Sequence, residues 1–238
     1  MELLKHYKTI FSRELKSYFY SPIAYIVISI FLVVTGWFFY STFFLYNQAE
    51  LRNFFQLLPI IFSFIIPAVT MKLFSEELNL GSYEIIATMP VTFLDIIAGK
   101  FLAAFAFTAL MLAPTVFYAV FTAFMGKLDH GPVIGGYLGA LLLGGSFSAI
   151  GLFASTLSRN QIIAFIIGMI ICFSLTLIDK MLFFLPSVML GFFQYLGADY
   201  HFQNISRGII DTRDILYFCT ICFISLYGCY LTMQEKKA

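Results

Sequence analysis

Cys219 and Cys222 stand as C-x-x-C, the spacing of a metal-binding or redox pair. A structural zinc takes four ligands, yet this stretch has no second pair and no histidine beside it. These two cysteines, with Cys172 and Cys229, lie in apolar runs and read as small buried hydrophobic side chains. His201 stands near Asp199 and Asp211, which makes a sparse metal set. Hydrogen bonds that fix a loop, or an Arg207–Asp211 pair at helical spacing, account for the same residues. Nucleotide binding by a Walker-type loop is excluded: Ala98-Gly99-Lys100 is followed by Phe101, and Leu94 stands where the first glycine belongs. No paired carboxylates, histidine cluster or nucleophile–base pair falls within the apolar runs. The chain is expected to hold no catalytic residues, no metal and no cofactor.

The remaining chemistry lies in the acidic stretch from Phe74 to Lys100, which carries Glu76, Glu77, Glu84 and Asp95, punctuated by Gly81 and Pro90. Connections between elements are usually short, so a long acidic one, helical in pattern, suggests a surface that meets a partner. A plain solvated loop is the alternative. Lys72 and Lys100 flank the stretch and are expected to anchor span ends, with their ammonium groups reaching for water.

The elements that hold this stretch are apolar. The 238 residues are 61% hydrophobic and 11% charged, against about a quarter charged in soluble domains. That composition predicts an all-α polytopic membrane protein. Leu4, Tyr7, Phe11, Leu15 and Tyr18 share one face of a helix over residues 2–20, with Lys5, Lys8, Ser12, Arg13 and Lys16 mostly opposite. This is the pattern of an amphipathic helix in the membrane interface. A signal peptide is rejected, because the next apolar stretch is too long and lacks an A-x-A-like site. Six transmembrane helices are expected over residues 23–46, 54–71, 96–124, 132–157, 162–178 and 215–232. The second contains Pro59 and Pro67, and the third Pro114. In the fourth, Gly131, Gly135 and Gly139 form one four-spaced small row, and Ala140, Gly144 and Ser148 another. Such rows let helices approach closely, here within one chain more than between two. Residues 179–213 begin with an aromatic, apolar half whose pieces are too short to span, which suggests a re-entrant hairpin, and end in a polar loop. The aromatic residues at 183–195 fit an outer gate or an interface belt.

Lysine and arginine counts set the orientation. With the amino terminus inside, the inner side holds Lys5, Lys8, Arg13, Lys16, Lys72, Lys100, Arg159, Lys236 and Lys237. The outer side holds Arg52, Lys127, Lys180, Arg207 and Arg213. That is nine against five of the 14, so both termini and the 74–100 segment are expected in the cytoplasm. No charge stands near the middle of an expected span, where insertion would cost about 2.5–3.5 kcal/mol, so no proton or ion relay is visible.

The runs SPIAYIVISIFL (21–32), SEELNLGSYEIIATMPVTFLDIIAGKFLA (75–103), GLFASTLSRNQIIAF (151–165) and YHFQNISRGIIDTRDILYF (200–218) resemble the ABC-2 type exporter permeases, and within them the gliding-motility-associated group. The resemblance covers nearly the whole chain. It implies a single transmembrane domain in a bacterial inner membrane, paired with a cytosolic ABC ATPase subunit and a second permease copy or related chain, surrounded by lipid and without nucleic acid. It also implies that residues 74–100 hold a coupling helix seated on the ATPase, with Glu76, Glu77, Gly81, Glu84 and Pro90 matching the family pattern there. The alternative function is a non-transporting anchor or motor component of a gliding or envelope-assembly machine.

Overall fold

The computed structural model describes residues 3–46, 51–81, 92–126, 129–181 and 187–236. The chain folds as α1 (Leu3–Tyr20), α2 (Pro22–Tyr46), α3 (Arg52–Thr70), α4 (Lys72–Leu80), α5 (Phe93–Leu112), a short turn at Ala113–Thr115, α6 (Val116–Met125), α7 (His130–Leu157), α8 (Gln161–Met181), α9 (Ser187–Leu196), α10 (Ala198–Ser206) and α11 (Thr212–Glu235). Among the described residues, six stretches are long and apolar enough to cross a membrane: Pro22–Ser41, Arg52–Leu80, Phe93–Met125, His130–Leu157, Gln161–Met181 and Thr212–Glu235. This is the architecture of a multi-pass helical membrane protein.

Helix α7 is the axis of the bundle: 78% of its apolar window is buried in the fold, against 17% for α11 and 22% for α8. Its small residues explain why. A Cβ on Gly139 would come 3.2 Å from the Phe202 ring, and one on Gly144 2.7 Å from the Thr108 methyl group. Both glycines therefore admit elements of the same chain. Hydroxyl groups then stitch the packed helices together. Ser146 Oγ donates to Phe218 O at 3.1 Å, and Thr156 and Thr232 share a 2.9 Å hydrogen bond. In lipid each such bond contributes only about 0.6 kcal/mol, so close packing carries most of the stability.

Two spans depart from the expected pattern. The third is broken at Pro114 into α5, a turn and α6. Proline removes one helical hydrogen bond, and Tyr137 Oη donates to Thr115 O at 2.7 Å within that turn. The second span does not stop at residue 71. Met71 has helical angles and donates its N–H to Pro67 O at 2.9 Å, so α3 runs into α4 with one residue between them. The first third of the expected connection is thus a rigid extension of a span.

Helix α1 keeps the expected amphipathic pattern, but protein covers its apolar side. Tyr18 is buried, and Ile10, Phe11, Leu15 and Phe19 pack into the cluster formed with Ile96, Ala103 and Phe107 of α5. Gly99 makes this possible, since a Cβ there would sit 2.8 Å from Ile10 Cγ2 and 3.1 Å from Tyr7 O. Lys8, Arg13 and Lys16 remain exposed on the other face.

Contacts define two ends of the bundle. At one, Tyr18 Oη donates to Val69 O at 3.2 Å and Lys236 Nζ to Thr156 O at 2.5 Å, so α1 and the end of α11 share it. Burial and the Glu14 carboxylate push the Tyr18 phenol well above the usual tyrosine range, so it stays a neutral donor. The opposite end gathers the starts of α3, α7 and α11 with α9 and α10.

Candidate functional site

The site at the α1 end is built from three helices around one lysine. Along α4, Leu73, Phe74, Ser75 and Leu78 point inward, while Glu76 is exposed. Glu77 follows Leu73 by one turn and is mostly buried, at the edge of the inward face. Lys100 lies on α5 and is 1% exposed. Its Nζ donates to Glu77 Oε1 at 2.8 Å, to Glu14 Oε1 at 3.2 Å and to Leu73 O at 2.6 Å. An ammonium group has three N–H bonds, and each meets an acceptor on a different residue. The Glu14 and Glu77 side chains are each 15% exposed. Lys72 lies 4.7 Å over the Tyr18 ring, a cation–π contact beside the same cleft.

Lys100 therefore does not reach for water as expected. Its ammonium is turned into the protein, because Glu14 and Glu77 present two acceptors that offset its desolvation. Glu14 escaped the sequence reading although a signal existed. It follows Phe11 by three residues and precedes Tyr18 by four, which sets a carboxylate on the apolar face of α1. A charge there calls for a partner.

The ends of the acidic connection are defined by local chemistry. Gly81 closes α4 with φ +68°, the left-handed conformation that glycine adopts without strain. On the far side, Thr92 and Asp95 form a reciprocal capping box that starts α5: Thr92 Oγ1 accepts from Asp95 N, and Asp95 Oδ2 accepts from Thr92 N, both at 3.3 Å. Glu84 and Pro90 lie outside the described residues. Between α1, α4 and α5 a cleft of about 210 Å³ opens, lined by Arg13, Glu14, Lys72, Glu76, Glu77 and Lys100. Its groups can carry a load or pair with charge.

At the other end, His201, Arg207 and Asp211 do not form one site. His201 is buried between two acceptors: Nδ1 lies 2.6 Å from Asp214 Oδ1, and Nε2 3.0 Å from Tyr195 O. A carbonyl only accepts, so it is Nε2 that donates to Tyr195 O. The ring stacks on Tyr217 at 4.1 Å. Asp199 is engaged by Lys180 at 2.9 Å and by the Gln203 amide at 3.2 Å. Asp211 caps α11 by accepting from Arg213 N at 3.0 Å. It makes no ion pair with Arg207 among the described residues, because residues 207–211 are not helical and the four-residue spacing places nothing side by side. His201 is hydrogen-bonded, but it sits within helix α10 rather than in the expected loop, and its carboxylate partner is Asp214. Of the cysteines, Cys172 and Cys229 are buried, Cys222 contacts Ser146 Oγ at 3.6 Å, and Cys219 is exposed rather than buried.

Replacing His201 by Phe would keep the stack on Tyr217 and strand the Asp214 carboxylate, whose Oδ2 already has no partner among the described residues. We expect a loss of about 2 kcal/mol, the cost of a buried charged group left without its hydrogen bond. Adding Asp214→Leu should recover most of it. Thermal unfolding of both variants in one detergent checks this, and equal losses would remove the pairing.

Gly135, Gly139 and Gly144 all lie on α7 and are buried against α10 or α5 of the same chain. Compared with known proteins, no family model matches this chain and no curated protein matches it.

Proposed function

We propose that this chain is the membrane-spanning permease subunit of a bacterial ABC-2 type exporter, working with a separate cytosolic ATPase and a second permease in the inner membrane. The observation that supports this reading best is the joint at Lys100. A partner pressing on Glu76 and Gly81, at the free end of α4, would act on a helix that is continuous with α3 and tied to α1 and α5 through one buried ammonium. Force applied along α4, from Glu76 to Gly81, would move three helices together. In this reading both termini and the 82–91 connection face the cytoplasm, Glu76 and Glu84 pair with basic groups on the ATPase, and the chain supplies no catalytic residue.

The test is co-purification with the ABC ATPase encoded nearest to its gene, followed by ATP hydrolysis in lipid nanodiscs. Glu76→Lys/Glu84→Lys should lower hydrolysis at least tenfold while the permease still folds. No complex, with residues 82–91 labelled from the cytoplasm, would favour the non-transporting anchor of a gliding or envelope machine. Labelling of that segment from the outside would sink both readings.

A further inference from the structure

A second pocket, of about 310 Å³, lies at the end of the bundle away from α1. It is lined by Arg52, Gln56, Gln203, Ser206 and Arg207. Arg52 and Gln56 occupy the first turns of α3, one turn apart, and the other three close α10. Both ends are firmly seated. Phe54 and Phe55 are buried beside the first pair, and Phe202 and Ile205 beside the second. Two exposed arginines thus line one cavity that has no carboxylate in its lining. Among the described residues neither arginine is ion-paired.

We propose that this pocket binds a phosphate-type anion, and specifically the headgroup of an anionic phospholipid. Two arginines that share a pocket repel each other, and an anion removes that repulsion. Guanidinium is also the side chain best matched to phosphate, because it offers parallel N–H bonds to two oxygens. The local backbone dipoles partly oppose each other. Helix α3 starts at Arg52 with no side-chain cap, which adds positive potential. The carbonyl end of α10 points to the same region, but its final carbonyls are already taken by Arg207 N and Gly208 N at 2.9–3.2 Å. The arginines therefore decide the sign.

Size and position favour a headgroup over a bare ion. A water takes up about 30 Å³ in the liquid, so the cavity has room for a phosphate and the polar group attached to it. Gln56 supplies a neutral hydrogen-bonding group of the kind that a glycerol headgroup would meet, and Ser206 Oγ, which donates to Gln203 O at 3.0 Å, can still accept, while the Gln203 amide is held by Asp199. The pocket also lies where α3 passes from polar to apolar sequence, the depth at which headgroups sit. This site is independent of the exporter reading: it uses the opposite end of the molecule and needs no ATPase.

The probes are short-chain phosphatidylglycerol, short-chain phosphatidylcholine and inorganic phosphate, each titrated at fixed ionic strength into the purified full chain in a neutral detergent. Bound lipid is counted by native mass spectrometry, and unfolding temperature is followed in parallel. We expect phosphatidylglycerol to bind at least tenfold more tightly than phosphatidylcholine, and Arg52→Gln/Arg207→Gln to abolish that preference. Lys8→Gln/Lys16→Gln, which removes two charges from the separate basic face of α1, should leave the arginine-dependent part intact. Inorganic phosphate that displaces phosphatidylglycerol and raises the unfolding temperature only with both arginines present would assign the site to free anions. Failure to displace would assign it to lipid. A double variant that retains the full preference overturns the proposal. Should that variant lose its cooperative unfolding, Arg52→Lys serves instead: it keeps the charge, loses the fork and should weaken the preference severalfold, and an unchanged preference overturns the proposal equally.

Discussion

Lys100→Met should cost this protein about 3 kcal/mol, the low end of the loss that removing one partner of a buried ion pair brings. Methionine fills the space of the lysine stem, so the loss is electrostatic rather than a cavity. Glu14 and Glu77 would then face the same site with no cation between them, and the Leu73 carbonyl would lose its extra donor. The Glu14 and Glu77 side chains are 15% exposed, so the pair lies near the protein edge, which keeps the loss below the upper end of that range. For a chain of this length the change corresponds to a fall in unfolding temperature of about 6–12 °C. Lys100→Arg should recover little, because a planar fork cannot serve three acceptors arranged around one tetrahedral nitrogen. The informative variant is Lys100→Met/Glu14→Gln/Glu77→Gln, which removes all three charges and should regain most of the loss. A single change costing under about 1 kcal/mol would mean that water already solvates the cluster, and α4 would not be rigidly joined to α1 and α5.

The same cluster shows what was legible in the sequence and what was not. The six spans were, because apolar length in lipid is a one-dimensional property. The stops and starts around the acidic connection were partly so: Gly81 is visible punctuation in the sequence, whereas Asp95, which looks there like one more acid for a partner, caps α5 with Thr92. The continuation of α3 through Met71 was not legible, since Lys72, Glu76 and Glu77 suggested that the span had ended. Periodicity explains the discrepancy. Leu73, Phe74 and Leu78 form an inward stripe that runs on past the first charge. Pairings between distant elements were the least accessible. Lys100 and Glu14 are 86 residues apart, and nothing local to either names the other. His201 illustrates the same limit on a smaller scale: Asp211 was the visible neighbour, and the fold brought Asp214.

Gly135→Ala is the steric counterpart of the Lys100 change, and it tests the opposite end. Glycine inside a helix is disfavoured relative to alanine by about 1 kcal/mol, so propensity alone predicts that the substitution stabilises. Packing predicts the reverse. A Cβ on Gly135 would collide with the Ile205 carbonyl oxygen and lie 3.2 Å from Gly208 Cα and 3.3 Å from Gly208 N. All three are backbone atoms, so no side-chain rotation relieves the clash. Gly208 cannot yield easily either, because it holds φ +86° and already abuts Gly131 and Pro132. Overpacking of this kind costs about 1–3 kcal/mol. A collision with fixed backbone belongs near the top of that range, leaving a net loss of about 2 kcal/mol after the helix gain. Gly145 provides the control on the same helix: its Cβ would rest 3.4 Å from the Phe105 ring, an ordinary contact, so Gly145→Ala should be neutral or slightly stabilising. Unfolding temperatures of the two variants in one detergent give the comparison directly. If both shift alike, α10 does not press its backbone on α7. If Gly135→Ala alone falls, the displaced turn carries Arg207 with it, and the preference for phosphatidylglycerol should weaken in that variant while Gly145→Ala retains it.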